Sequence, residues 1–193
     1  MIIVKHRVNT INEIKKINKE FGVEVDLRSN KSGIYLHHDP FKTGEDFSKW
    51  LKFYNHKLLV LNVKEEGLEK MILKILKKNK IYNYFFHDQT FSSMLKNMKS
   101  NKVSIRFSEY EKLAKRIFLF KYIKWIWIDN FTHLPKDKKF YTFLKKNKIK
   151  TCIVSPELVK ISRKKEISQL RKENKKFGFT FDAVCTKKPL LWK

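Results

Sequence analysis

The sequence predicts an α/β protein, a compact (β/α)8 TIM barrel with a β-hairpin extension after its second strand, on three observations. Eight short apolar runs recur along 193 residues, lysine-rich amphipathic segments separate most of them, and every run ends at a polar or charged residue. Alternating strands and helices specify a parallel sheet with helices outside it. Spreading 193 residues over eight units leaves ~24 residues each, a little short for such a barrel, so its helices and loops have to be short.

The elements follow in order. Ile2-Ile3-Val4 forms a strand that feeds His6, and Ile11, Ile14, Ile17 and Phe21 recur at three- and four-residue intervals, predicting a helix over 9–21. Residues 23–27 alternate apolar and acidic, which puts Glu24 and Asp26 on one face of the second strand. Ile34-Tyr35-Leu36 follows too soon for a crossover helix and reads as a hairpin partner across Asn30-Lys31-Ser32-Gly33. A short helix is expected over 47–54, a strand over 59–63, and a helix over 67–80 with Leu68, Met71, Ile72, Ile75 and Leu76 on one face. Further strands are expected at 82–86, 103–107, 125–128, 151–154 and 183–185, with lysine-rich helical stretches between most of them.

His6, Asp26, Lys64, Asp88, Arg106, Asp129, Glu157 and Lys187 each lie at or just after the end of an apolar run. In a barrel these ends form one rim, the face that carries the active site. An open doubly wound sheet also gathers polar groups at its strand ends. No Gly-rich phosphate loop or dinucleotide fingerprint follows any strand here, which favours the barrel.

Composition narrows the functional classes. Residues 1–193 read as a single domain, since no Pro/Gly/Ser-rich linker interrupts them and the apolar content is enough for one core. No apolar run approaches the ~20 residues of a membrane helix, and no signal-peptide pattern opens the chain, so a cytoplasmic location is expected. Cys152 and Cys185 lack C-x-x-C spacing and read as buried strand residues rather than a zinc site or disulfide. The formal charge of +25 comes from lysines spread along every predicted helix, the pattern of solvated faces rather than of a specific nucleic-acid arm. Such a charge draws in anionic substrates and gives weak attraction to anionic membranes. The oligomeric state is not legible.

The chemistry-bearing residues cluster near the start: His6-Arg7, Glu24-Val25-Asp26 and His38-Asp39. Two carboxylates side by side repel, and a proton or a cation between them relieves this. Two histidines can supply a base and an acid near neutral pH. His37 would face away from His38 on a strand, and Asp39 before Pro40 reads as a turn residue that orients the site. His87-Asp88 repeats the His-Asp pairing, His56 and His133 read as loop or helix-end residues, and Trp125 and Trp127 as packing.

This order of motifs resembles the glycerophosphodiester phosphodiesterases and, more broadly, the phospholipase-C-like phosphodiesterases, which begin with His-Arg, continue through Glu-x-Asp and follow with His-Asp. In that family the next strand carries an acidic residue two places before a lysine. Here the lysine is Lys64, and Asn62 stands in the acidic slot. Val8 replaces a glycine, the loop at Asn9-Thr10 is shortened and lacks a glutamate, and Thr186-Lys187-Lys188-Pro189 is similar to the family's closing strand.

The resemblance implies a phosphoric diester hydrolase acting on a glycerophosphodiester or a similar small, soluble, anionic phosphodiester. It implies one divalent cation, Mg²⁺ or Ca²⁺, held by Glu24, Asp26 and Asn62, with His6 and His38 as base and acid in either order. Arg7 and Lys64 would contact phosphate oxygens, and Arg106, Asp129 and Glu157 are rim candidates for other substrate groups. An alternative expectation is a catalytically impaired, phosphodiesterase-like binding or accessory protein in phosphate-containing glycan or lipid metabolism, motivated by Asn62 and the missing loop glutamate.

Overall fold

A computed structural model of the chain describes residues 1–99, 102–111, 121–176 and 180–193. In chain order the elements are β1 (Ile2–Lys5), α1 (Ile11–Lys16), β2 (Gly22–Asn30), β3 (Gly33–Leu36), β4 (Glu45–Asp46), α2 (Phe47–Leu51), β5 (Leu59–Val63), α3 (Glu69–Lys78), β6 (Tyr84–His87), α4 (Phe91–Asn97), β7 (Ser104–Phe107), β8 (Trp125–Ile128), α5 (Lys138–Lys146), β9 (Lys150–Val154), α6 (Pro156–Val159), α7 (Glu166–Lys176) and β10 (Ala183–Thr186). The α/β class and the eight expected strands are present, within mixed rather than all-parallel pairing. The lysine-rich stretch expected to be helical before Trp125 lies largely in 112–120, outside the described residues.

The chain divides into two compact units, Lys5–Val103 and the remainder, Met1–Val4 with Ser104–Lys193. In the first, the strands run β4-β3-β2-β5-β6. β2, β5 and β6 are parallel, with Asp26 opposite Asn62 and Asn62 opposite His87. β3 and β4 join antiparallel, so this sheet is mixed. The hairpin is the expected one: Asn30 pairs with Gly33, and the Asn30 side chain caps the turn by accepting from the Ser32 N–H at 2.8 Å. Gly33 sits at φ +127°, a conformation that excludes side chains. β4 was not foreseen; it is only two residues long, and a Cβ on the preceding Gly44 would lie 2.1 Å from the Leu36 carbonyl oxygen.

In the second unit the strands run β1-β10-β9-β8-β7, with β10 to β7 parallel. Trp125 and Trp127 are buried, as a packing role requires, and both cysteines are buried thiols rather than a disulfide pair.

Two helices are shorter than their hydrophobic periodicity predicts. α1 begins with a capping box, in which Thr10 Oγ1 accepts the Glu13 N–H and Glu13 accepts the Thr10 N–H. It stops at Lys16 because Asn18 takes the chain into a turn, its side chain accepting from the Glu20 N–H at 2.9 Å and its carbonyl from the Phe21 N–H at 3.0 Å. α2 begins at the Asp46 cap and packs the fully buried Phe47 and Trp50 inward. In α3, Ile72 and Leu76 are buried, whereas Met71, expected on the same face, is 48% exposed.

The first unit's core centres on Val23, Val25, Leu59, Leu61, Phe85 and Phe86, each fully buried. Phe85→Ala therefore removes a whole ring from a closed interior and is expected to cost about 3–5 kcal/mol. A lowered urea midpoint at unchanged m checks this.

Candidate functional site

All the chemistry-bearing motifs of the N-terminal half fall within the unit Lys5–Val103. The two-residue strand period places Glu24 and Asp26 on one face of β2, where they are 1% and 0% exposed. The segment after β1 is fastened to them. Arg7 adopts φ +52°, which turns its N–H to Glu24 Oε2 at 2.7 Å, and the Val8 N–H donates to the Glu24 carbonyl at 2.8 Å. Asn9 then grips Asp26 twice: its Nδ2 donates to Asp26 Oδ2 at 2.8 Å, and its Oδ1 accepts the Asp26 N–H at 2.9 Å. His6 Nε2 lies 3.9 Å from Glu24 Oε2, and Arg7 Nε lies 3.9 Å from Asp26 Oδ2.

Asn62 and Lys64 arrive from β5. Asn62 Nδ2 donates to Glu24 Oε1 at 2.9 Å, while Lys64 Nζ lies 3.1 Å from Asp88 Oδ2 and 3.6 Å from Asp26 Oδ1. Burial, and then the neighbouring Asp26 charge, push the Glu24 carboxyl up to about 7, against the pull of the Arg7 N–H, Asn62 and Lys64.

His38 stands outside this buried cluster. Its Nδ1 pairs with Asp39 Oδ1 at 2.7 Å, a bond that orients the imidazole. The same bond holds the exposed Asp39 carboxyl below its ordinary value. Arg28 secures the His38 carbonyl at 2.9 Å and reaches Glu65 at 3.3 Å, and Ser29 fixes the other Glu65 oxygen. The backbone of His37 donates to the Asp26 carbonyl at 3.1 Å. Arg7, Asn9, His37 and His38 together line a cleft of about 770 Å³. This corrects the expectation that His37 faces away: β3 ends at Leu36, so strand alternation no longer governs 37 and 38.

The remaining rim candidates lie in the other unit. Arg106 pairs with Asp129 at 2.9 Å, and the Trp127 indole N–H donates to the second Asp129 oxygen at 3.1 Å. Burial raises the Asp129 carboxyl although Arg106 and Trp127 oppose the shift. Glu157 is buried and accepts from the Ser155 and Thr186 hydroxyls and from the Lys187 N–H. Sequence reasoning passed over Asn9 as part of a shortened loop, although an amide two residues after His-Arg was the available signal. The bond from Asp88 to Lys64 had no sequence signal beyond its place at a strand end.

Among the described residues no three His, Cys, Asp or Glu side chains converge as a metal centre. The donor set nevertheless suits a hard cation. Asp26 Oδ1 and Asn62 Oδ1 are buried acceptors with no hydrogen-bond partner among the described residues, on side chains opposite each other in the β2/β5 register. With the Glu24 carboxylate beside them, these are all-oxygen ligands of the kind Mg²⁺ and Ca²⁺ select.

The match to solved structures decides the fold. The chain has the fold of the glycerophosphodiester phosphodiesterases. The glycerophosphodiester phosphodiesterase of Thermotoga maritima matches it with a TM-score of 0.72 at 18% identity, covering 100% of this chain and 96% of that one. A glycerophosphoryl diester phosphodiesterase from Parabacteroides distasonis matches with a TM-score of 0.71 at 13% identity over 99% of this chain and 84% of its own. An Oleispira antarctica phosphodiesterase, whose structure holds the product sn-glycerol-3-phosphate, matches with a TM-score of 0.70 at 14% identity over 100% and 95%. No family model and no curated protein matches the sequence.

Proposed function

We propose that this chain is a metal-dependent phosphoric diester hydrolase acting on a glycerophosphodiester or a similar small, soluble phosphodiester. The carrying observation is the gathering of His6, Arg7, Glu24, Asp26, Asn62 and Lys64 within one unit by hydrogen bonds and by charge pairs no longer than 3.9 Å, next to the cleft that His38 lines. The glycerol phosphate held by the Oleispira antarctica phosphodiesterase supports the substrate class. The full-length match to solved chains supports reading residues 1–193 as one domain of compact (β/α)8 type. Among the described residues no helix is long and apolar enough to cross a membrane, and the proposal keeps the cytoplasmic location expected from the sequence.

A phosphodiester resists attack because it is anionic and its alkoxide leaves poorly. Mg²⁺ or Ca²⁺, when bound by Glu24, Asp26 and Asn62, supplies positive charge for the phosphoryl oxygens. Arg7 and Lys64 hold the phosphate by charge-assisted hydrogen bonds. His6 takes the proton of the substrate hydroxyl next to the ester as that oxygen bonds to phosphorus. His38, oriented by Asp39, gives its proton to the departing alcohol oxygen as the old P–O bond breaks. Water then opens the cyclic phosphate with the two histidines in exchanged roles, and the same assignment can run in mirror order. Attack from within the substrate carries the proximity advantage. Arg106, Asp129 and Glu157 are proposed to serve other polar groups of the substrate.

Purified protein with Mg²⁺ or Ca²⁺ is expected to release an alcohol from at least one glycerophosphodiester and to stop on chelation. A broad panel without turnover under either metal would sink the proposal. The second reading, a binding or accessory protein without efficient turnover, is favoured by one contact: the Asn62 amide donates to Glu24 where the family carries a carboxylate. On that reading Asn62→Asp creates metal-dependent hydrolysis absent from the parent protein.

A further inference from the structure

We infer that Asp88 is a positioning residue that stations the Lys64 ammonium beside Asp26 rather than upon it, and so keeps Asp26 Oδ1 open as a cation ligand. The inference rests on the reading of Glu24, Asp26 and Asn62 as a cation site. Asp88 follows the last residue of β6 and sits at φ +62°, a left-handed conformation that aspartate tolerates. β6 lies next to β5, with His87 opposite Asn62, so Asp88 projects from the strand end adjacent to the one that carries Lys64.

The ammonium is shared unequally, 3.1 Å from Asp88 Oδ2 and 3.6 Å from Asp26 Oδ1. Only the first contact is a hydrogen bond, and Asp26 Oδ1 accepts none among the described residues. The Lys64 side chain is 15% exposed, and its two carboxylate neighbours differ sharply, Asp88 at 30% and Asp26 at 0%. A nearly buried ammonium deprived of one carboxylate closes onto the other, because an unpaired charge there is costly. Without Asp88, Lys64 would occupy the oxygen that a divalent cation needs. A negative charge missing at Asn62 is thus supplied one strand over, acting through Lys64 instead of through the cation.

Calorimetric titration of Mg²⁺ and Ca²⁺ into four full-length proteins tests this: the parent, Asp88→Asn, Lys64→Met and the double variant. Asp88→Asn is expected to weaken cation binding at least tenfold in the parent background and less than twofold in the Lys64→Met background. Equal losses in both backgrounds, or no loss in either, overturn the inference, the first because Asp88 would then act on the cation by its own charge. A crystal structure of Asp88→Asn without cation gives a readout independent of metal and turnover. Lys64 Nζ is expected within hydrogen-bond distance of Asp26 Oδ1, and an ammonium that stays at its present separation overturns the positioning role. If the parent binds neither cation, the cation-site reading fails and that structure alone decides where Asp88 holds Lys64.

Discussion

Alanine in place of His38 lowers turnover of a cleavable glycerophosphodiester by a factor of about 10²–10⁴, the range that a positioned proton donor contributes. On the proposed mechanism the loss falls on kcat, because a proton donor acts as the leaving-group bond breaks and adds little to ground-state binding. Stability should hardly change. The imidazole is 37% exposed, its side-chain partner Asp39 is 62% exposed, and Arg28 binds the backbone carbonyl of residue 38, which alanine retains. A substrate with an activated leaving group, which needs no proton, should recover much of the lost rate in His38→Ala but not in His6→Ala. Equal losses on both substrates would take the acid role away from His38. Steady-state kinetics with circular dichroism as a folding control make the measurement.

A second large effect belongs to Glu24. Its carboxyl moves from the ordinary 4.5 to about 7 in the folded protein. Between those two values the folded state holds a proton that the unfolded state has released. Without divalent cations, stability therefore falls as pH rises from 4.5 through 7 and levels off above it. The displacement corresponds to about 3 kcal/mol. Glu24→Gln removes this dependence and is expected to be the more stable protein at pH 8 in chelator, by roughly 5–10 °C in Tm. Saturating Mg²⁺ or Ca²⁺ acts oppositely, since a cation favours the carboxylate, so its stabilising effect should grow as pH rises through 7 and be largely lost in Glu24→Gln. Melting curves of both proteins at pH 5, 6, 7 and 8, with and without cation, check both signs. Identical pH slopes in the two proteins would mean that Glu24 does not carry the shift.

Much of the fold was legible because its signals are local. The strand period of two put Glu24 and Asp26 on one face, and the short interval before Ile34 demanded a hairpin, which β2 and β3 form. Helix lengths were less legible. Hydrophobic spacing continues through Ile17 and Phe21, but the Asn18 turn ends α1 first, and a side chain competing for backbone hydrogen bonds leaves no trace in periodicity. The same gap explains the site. Residue types and spacing singled out His6, Glu24, Asp26 and His38 as candidates, and the family resemblance added the role of Lys64, whereas the two-way grip of Asn9 on Asp26 depends on the path imposed by φ +52° at Arg7. The expectation for His37 failed because alternation was carried two residues past the end of β3, to His37 and His38, which line one cleft.

The placing of His6, His38, the carboxylate pair, Asn62 and Lys64 inside residues 5–103 has an evolutionary consequence. Most substitutions that change the chemistry must arise in that half of the chain. The strands of the other unit can exchange one apolar residue for another as long as the side chains they bury stay buried. Two stretches of the same gene can therefore diverge at different rates.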